Sequence, residues 1–106
     1  MIILDELGIA DKIKAKLETV FDPEIPVNIC ELGLVYEIIT KKEGIAKVIM
    51  TLTAPACPVA GELLDEVQRK VSEVDGVKDA LVELTFEPKW DKSMMSEEAR
   101  LELGFM

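Results

Sequence analysis

Histidine is absent from this chain of 106 residues. An imidazole is the base of the Cys–His pair and of the Ser–His–Asp triad, and it is also a common zinc ligand. Without one, the conventional hydrolase sites and the common zinc sites are excluded. Any chemistry that this chain performs must therefore come from other side chains.

Cysteine is scarce as well, with only Cys30 and Cys57. Two cysteines cannot build the disulfide framework of a small secreted domain, and a reducing compartment keeps both as thiols. Long apolar runs are also missing, because the apolar start Met1–Leu4 is too short for a signal peptide and no run approaches membrane-spanning length. The sequence therefore predicts a cytoplasmic protein with two free thiols.

Basic residues are also few. The chain has 12 basic and 21 acidic residues, which gives a net charge of −9. Binding to phosphate backbones needs clustered Lys and Arg, so nucleic acid is a poor candidate partner. The chain has 49% hydrophobic residues and 31% charged residues, which is enough for a core and a solvated surface. We expect one domain over residues 1–106.

Hydrophobic periodicity predicts an α+β fold, a two-layer sandwich with helices packed on one face of a small mixed β-sheet. Turn residues between the first two strands indicate a β-hairpin, and Ser96 is placed to cap the last helix. The predicted helices span Asp11–Phe21, Val59–Val74 and Ser96–Gly104, and the predicted strands span Leu34–Thr40, Ile45–Thr53 and Val77–Phe86.

Cys57 lies between a predicted strand and a predicted helix, in the run Thr51–Pro58. Free backbone N–H groups and the positive end of the helix dipole at such a position stabilise a thiolate, which lowers the pKa of the cysteine and makes it a better nucleophile or metal ligand. The alternative is a small buried hydrophobe in a loop, since free cysteine is among the most buried residue types.

Three stretches of the chain resemble a known family. They are Asp22–Tyr36 (DPEIPVNICELGLVY), Met50–Pro58 (MTLTAPACP), and Trp90 with Met94–Arg100 (MMSEEAR). The chain resembles the SufT-type, PaaD-type and MIP-eighteen proteins over about Ile9–Phe105. This resemblance implies an iron–sulfur cluster assembly domain-like fold and a role in iron–sulfur protein maturation. Such proteins help to deliver clusters or act as adaptors between the assembly machinery and client apoproteins, without catalysing a defined reaction.

By motif position, the resemblance makes Cys57 the reactive thiol and possible cluster or metal ligand, with no catalytic residue beside it. Asp22 and Glu24 match the acidic loop of the family, and they either support the thiol or a metal, or cap loop N–H groups. Thr51 and Thr53 match its polar strand positions, and they either orient the Cys57 loop or are ordinary strand residues.

Two further residues of the motifs depart from a simple site assignment. Cys30 lies in a segment that differs from the family pattern, so we do not expect it to be a shared ligand. Trp90 matches a C-terminal tryptophan of the family, but Asp91 replaces the usual threonine after it, and core packing is the favoured role for the indole.

A transient iron–sulfur cluster is the cofactor that the resemblance implies, and it raises a question of ligand number. A two-iron cluster takes about four thiolates, and one chain has two cysteines. Either a homodimer or a partner protein must supply the rest. Two other functions stay open: an accessory subunit of a multicomponent oxygenase, as in PaaD-type proteins, and a thiol redox protein in which Cys30 would pair with Cys57.

Overall fold

The computed structural model describes residues 1–22, 27–52 and 60–103, without the side chains of Ala60, Lys92, Glu102 and Leu103. Within these residues, four strands, three α-helices and one short 3₁₀ helix follow one another along the chain. In chain order they are β1 (Ile2–Asp5), α1 (Ala10–Leu17), β2 (Val35–Lys41), β3 (Ile45–Met50), α2 (Ala60–Ser72), β4 (Asp79–Leu84), a short 3₁₀ helix (Lys92–Met94) and α3 (Glu97–Leu103).

The sheet has the strand order β1-β2-β3-β4. Strands β1 and β2 are parallel, β2 and β3 form an antiparallel hairpin, and β3 and β4 are parallel. The chain is thus two βαβ units joined by a hairpin, with α1 and α2 in contact with each other. The predicted α+β fold with helices on a small mixed sheet is confirmed.

The core lies between the sheet and the two long helices. Side chains alternate along a strand, so one face of β2 and β3 presents Ile38, Ala46, Val48 and Met50, all fully buried. Helix α1 adds Ile13 and Leu17 to this core, and helix α2 adds its apolar stripe, namely Leu63, Val67 and Val71.

Several predicted boundaries were wrong. The first helix ends at Leu17 rather than Phe21, because the backbone turns at Thr19 and Phe21 forms an isolated bridge with Asn28. Strand β3 ends at Met50, and the last strand covers only Asp79–Leu84. The sequence also gave no signal for β1, which exists because it pairs with β2 along its whole length.

Asp5 at the end of β1 fixes the start of α1. Its two carboxylate oxygens accept hydrogen bonds from the N–H groups of Ile9 and Ala10, at 3.1 and 3.0 Å. The hydroxyl of Thr40, a fully buried residue of β2, donates to the same carboxylate at 2.7 Å and accepts from the N–H of Leu7 at 3.0 Å. One side chain therefore satisfies two N–H groups at the start of the helix and ties the helix to the sheet.

Candidate functional site

Three successive backbone hydrogen bonds connect the described parts of the first two motif stretches. Ile29 N donates to Val20 O at 2.9 Å, and Leu34 N donates to Ile29 O at 3.0 Å. Thr51 N then donates to Leu34 O at 2.8 Å. The loop that follows α1 is thereby held against the end of β3, the strand that leads along the chain to Cys57.

The third motif stretch is fastened to the same loop. The indole Nε1 of Trp90 donates a hydrogen bond of 2.7 Å to Leu32 O. The N–H of Ser96 donates to Glu31 O at 2.8 Å, and its hydroxyl donates to the Glu31 carboxylate. Trp90 also packs against the hydrophobic core, as predicted. The described parts of all three stretches therefore meet at one end of the sheet.

Tyr36 joins the C-terminal segment to the sheet. Its hydroxyl donates to Pro88 O at 2.7 Å, and its oxygen lies 3.6 Å from the sulfur of Met94. A β-bulge between Val35 and Glu37 places this residue out of the regular register. Bulges re-aim a side chain, and here the phenol reaches across the end of the sheet.

Thr51 is fully buried, and within the described part of the chain its Oγ1 has no hydrogen-bond partner. Burial raises the pKa of Tyr36 above its ordinary value, and the neighbouring Thr51 hydroxyl opposes that rise. The two hydroxyls are thus close enough to interact, although their geometry is not that of a hydrogen bond. A buried hydroxyl without a partner is costly, so this one stands out.

Asp22 is the second predicted site residue that the structure describes. Only 8% of it is exposed, and its backbone N–H donates to Val27 O at 3.3 Å. The residue closes the loop that runs from α1 toward β2. The structure thus places a buried acidic residue at the base of the loop that also contacts Thr51.

Cys30 lies on the loop that links the motif stretches, half-buried against the core. Burial raises the pKa of its thiol to about 12, and the charges of Glu18 and Glu31 add to the rise while Lys14 opposes it. The thiolate is the nucleophile and the metal ligand, so Cys30 is a poor candidate for either role at neutral pH.

Cys57, Glu24 and Thr53 lie outside the described residues. Their assignment to the site remains a prediction from the sequence. Among the described residues, no group of three or more Cys, Asp and Glu side chains is arranged to hold a metal ion. None of the described helices is long and apolar enough to cross a membrane.

Two residues that shape this region were not assigned a role from the sequence. Asn28 Oδ1 accepts hydrogen bonds from the N–H groups of Cys30 and Glu31, both at 3.0 Å, and so forms the turn before Gly33. An Asn two residues before a turn is a recognisable signal for such a structure. The role of Tyr36 had no comparable signal, because its partners are more than fifty positions away.

Comparison with known proteins connects this geometry to a family. The family model described as iron–sulfur cluster assembly protein matches residues 10–84. The chain belongs to this family. The match includes the loop after α1, the end of β3 and helix α2, and it confirms the resemblance stated from the motifs.

Relatives and a solved structure agree with this assignment. An Fe-S protein maturation auxiliary factor from Porphyromonas gingivalis is 56% identical over 85% of this chain and 86% of its own length. The Fe-S protein maturation auxiliary factor SufT from Staphylococcus aureus is 39% identical over 80% of this chain and 97% of its own length. The crystal structure of a domain of unknown function from Bacillus anthracis superposes with a TM-score of 0.84 at 37% identity, over 91% of this chain and 92% of that one.

Proposed function

We propose that this protein is an iron–sulfur protein maturation factor, a cluster carrier or targeting adaptor that uses Cys57 as its working thiol. The observation that carries the proposal is the family match over residues 10–84, which includes the motif around Cys57. The described parts of the three motif stretches meet at one end of the sheet, and this supports a single site there.

The choice of Cys57 follows from the chemistry of the two cysteines. The raised pKa of Cys30 keeps that thiol protonated at neutral pH, and a protonated thiol is a weak ligand. The same property weighs against a thiol redox protein that would use Cys30 as the resolving cysteine. Cys57 is the remaining thiol, and a position before helix α2 favours its thiolate.

A cluster would be cargo rather than a resident group. One thiolate from this chain falls short of the four that a two-iron cluster takes, so the other ligands must come from elsewhere, such as a client apoprotein or a second copy. Incomplete ligation suits a protein that passes a cluster on, because a fully enclosed cluster is harder to release.

The remaining parts of the proposal follow from this role. The partners are the iron–sulfur assembly machinery and client apoproteins, the compartment is the cytoplasm, and the protein acts without catalysing a reaction of its own. Asp22, Glu24, Thr51 and Thr53 are the supporting residues of the site around Cys57.

Anaerobic reconstitution with iron and sulfide tests the carrier form of the proposal. Wild type, Cys57→Ala and the matched control Cys30→Ala are each loaded and then mixed with an apo-ferredoxin, and transfer is followed by visible circular dichroism. We expect wild type and Cys30→Ala to load and transfer, and Cys57→Ala to do neither. Equal transfer by Cys57→Ala would rule out this cysteine as the ligand.

The adaptor form is tested in cells. Deletion of the gene should lower the activity of iron–sulfur enzymes while their polypeptide levels stay largely intact, and Cys30→Ala but not Cys57→Ala should restore that activity. Unchanged enzyme activity in the deletion strain under iron limitation and oxidative stress would overturn the proposal.

A further inference from the structure

The helices cover one face of the sheet, and the opposite face, called here the open face, carries an unusual number of large aliphatic side chains. The strand register places six of them on it: Ile2 and Leu4 of β1, Ile39 of β2, Ile45 and Ile49 of β3, and Leu81 of β4. Ile2, Leu4 and Leu81 are 58%, 54% and 49% exposed. Contiguous exposed apolar surface of this kind marks a site of protein association.

The charged residues of the open face are separated along the strand direction. Lys41 and Lys47 lie toward the β2–β3 turn, beside the single acid Asp79. Glu37 and Glu83 lie in the next row toward Thr51, on either side of Ile49. One end of the open face is thus cationic in character and the other is anionic.

The anionic end of the open face contains a shallow depression. It has a volume of about 440 Å³, with Ile49 among its apolar lining residues. Three carboxylates line it, those of Glu37, Glu83 and Glu87. The only cation paired with any of them in the described residues is Lys47, whose Nζ lies 3.6 Å from Glu83 in a largely exposed contact. Such an exposed pair contributes little, so these carboxylates are available to another cation.

We propose that the open face is the contact surface of a weak homodimer in which two copies pack face to face with their strands antiparallel. A two-fold axis that lies between the sheets and perpendicular to the strands brings the cationic end of each copy over the anionic end of the other. Lys47 of one copy then sits over Ile49 of the second copy, between that copy's Glu37 and Glu83. This self-complementarity is what an isologous interface requires, and it favours a second copy over an unrelated partner.

The small area of the open face limits the affinity of the proposed dimer. Four strands about 4.8 Å apart and six residues of about 3.3 Å rise give a face of roughly 20 by 20 Å. This lies at the low end of specific interfaces. A net charge of −9 on each copy also opposes association. From this small area and this repulsion we expect weak association, with a dissociation constant on the order of 100 μM.

The antiparallel packing also keeps the proposed sites of the two copies apart. Thr51 lies at one end of each open face, so the antiparallel packing places the two Thr51 residues roughly 20 Å apart, at opposite ends of the interface. The two Thr51 residues, after which each chain continues toward Cys57, therefore lie at opposite ends of the interface.

Sedimentation equilibrium between 10 μM and 1 mM, with wild type and charge-reversed variants, tests the proposal. Lys47→Glu alone places like charges against Glu37 of the second copy, and Glu37→Lys alone does the same against Lys47. We expect each variant to dissociate at least ten times more readily than wild type. An equimolar mixture of the two restores opposite charges at both ends, and we expect it to associate like wild type.

Lys16→Glu is the matched control, because Lys16 makes an exposed pair with Glu73 at 3.5 Å on the helical side of the molecule. This variant should associate like wild type. A wild type that stays monomeric up to 1 mM, or variants and mixture that all associate equally, would overturn the proposal. Neither result would bear on the Cys57 experiments, because those measure cluster transfer and enzyme activity.

Discussion

The indole N–H of Trp90 donates a 2.7 Å hydrogen bond to the carbonyl oxygen of Leu32, and so joins the C-terminal segment to the loop before β2. The two residues are 58 positions apart in the chain. Gly33, the next residue along, lies directly beneath the backbone of Met94. The contact between these two segments is therefore too close to admit a side chain.

Gly33→Ala should destabilise the protein strongly. Gly33 has a φ of +77°, and an added Cβ would lie 2.2 Å from the carbonyl oxygen of Met94. We expect a loss of about 3 kcal/mol or more in the free energy of unfolding, measured by urea denaturation. Gly8→Ala is the control, because Gly8 has a similar φ of +72° and open space around it. It should cost only about 1 kcal/mol, and equal losses would refute the steric explanation.

Asp5→Asn should lower stability at neutral pH, and the loss should shrink in acid. Burial raises the pKa of Asp5, but the hydrogen bonds from Thr40 and from the N–H groups of Ala10, Ile9 and Gly8 outweigh it, and the net shift is downward. A lowered carboxyl pKa stabilises the fold above the pKa of the unfolded chain, and this contribution is lost as the pH falls through the folded value.

At pH 7 we therefore expect the free energy of unfolding of Asp5→Asn to be about 0.5–1 kcal/mol lower than that of wild type. This difference should narrow between pH 4 and pH 2. Urea denaturation across this range measures it. Asp65→Asn on the exposed side of α2 is the control for the loss of one surface carboxylate, and at pH 7 it should cost less than about 0.5 kcal/mol. A difference in the free energy of unfolding that stays constant with pH would contradict the role given to the Asp5 carboxylate.

Cys30 should react slowly with thiol reagents. A pKa of about 12 leaves very little thiolate at pH 8. In Cys57→Ala, where Cys30 is the only thiol, we expect alkylation by iodoacetamide to be about 100-fold slower in the folded protein than in urea. Rates that match in the two conditions would show that the burial of this thiol has been overestimated.

Thr51→Val should leave stability unchanged or raise it by up to about 1 kcal/mol, since it removes a buried hydroxyl without a hydrogen-bond partner in the described residues. Thr40→Val is a close control, because that buried hydroxyl makes two hydrogen bonds. It should cost about 1–3 kcal/mol. If Thr51→Val keeps its stability and yet transfers clusters poorly, the hydroxyl serves the site and not the fold. A large loss of stability would show instead that Thr51 has a structural partner.

Much of the fold was predictable, because most of its elements bury one face and so carry a periodic pattern. Helix α2 and the β2–β3 hairpin are examples, with a regular apolar stripe and a clear turn. Strand β1 was missed because its four residues, Ile2–Asp5, are all exposed and their pattern therefore carries no period.

The candidate site was also predictable only in part. The motifs predicted a site role for Asp22 and Thr51, which stays a prediction, but they gave no indication that Thr51 is fully buried or that Tyr36 lies beside its hydroxyl. The hydroxyl of Tyr36 is positioned by contacts with Pro88 and Met94 of the C-terminal segment, which sequence spacing does not encode. The raised pKa of Cys30 is likewise a product of tertiary burial.

The mixed sheet also implies an order of folding. The β2–β3 hairpin closes through a turn of three residues, whereas the parallel pairs β1–β2 and β3–β4 join residues about 35 positions apart. Loop closure over such distances is slow, so we expect the hairpin to be structured in the transition state and the outer strands to dock later. High φ-values at Val48 and low ones at Ala80 would support this order. The proposed site would then be completed only after the hairpin has formed, because the loop after α1 and the C-terminal segment both join it from outside the hairpin.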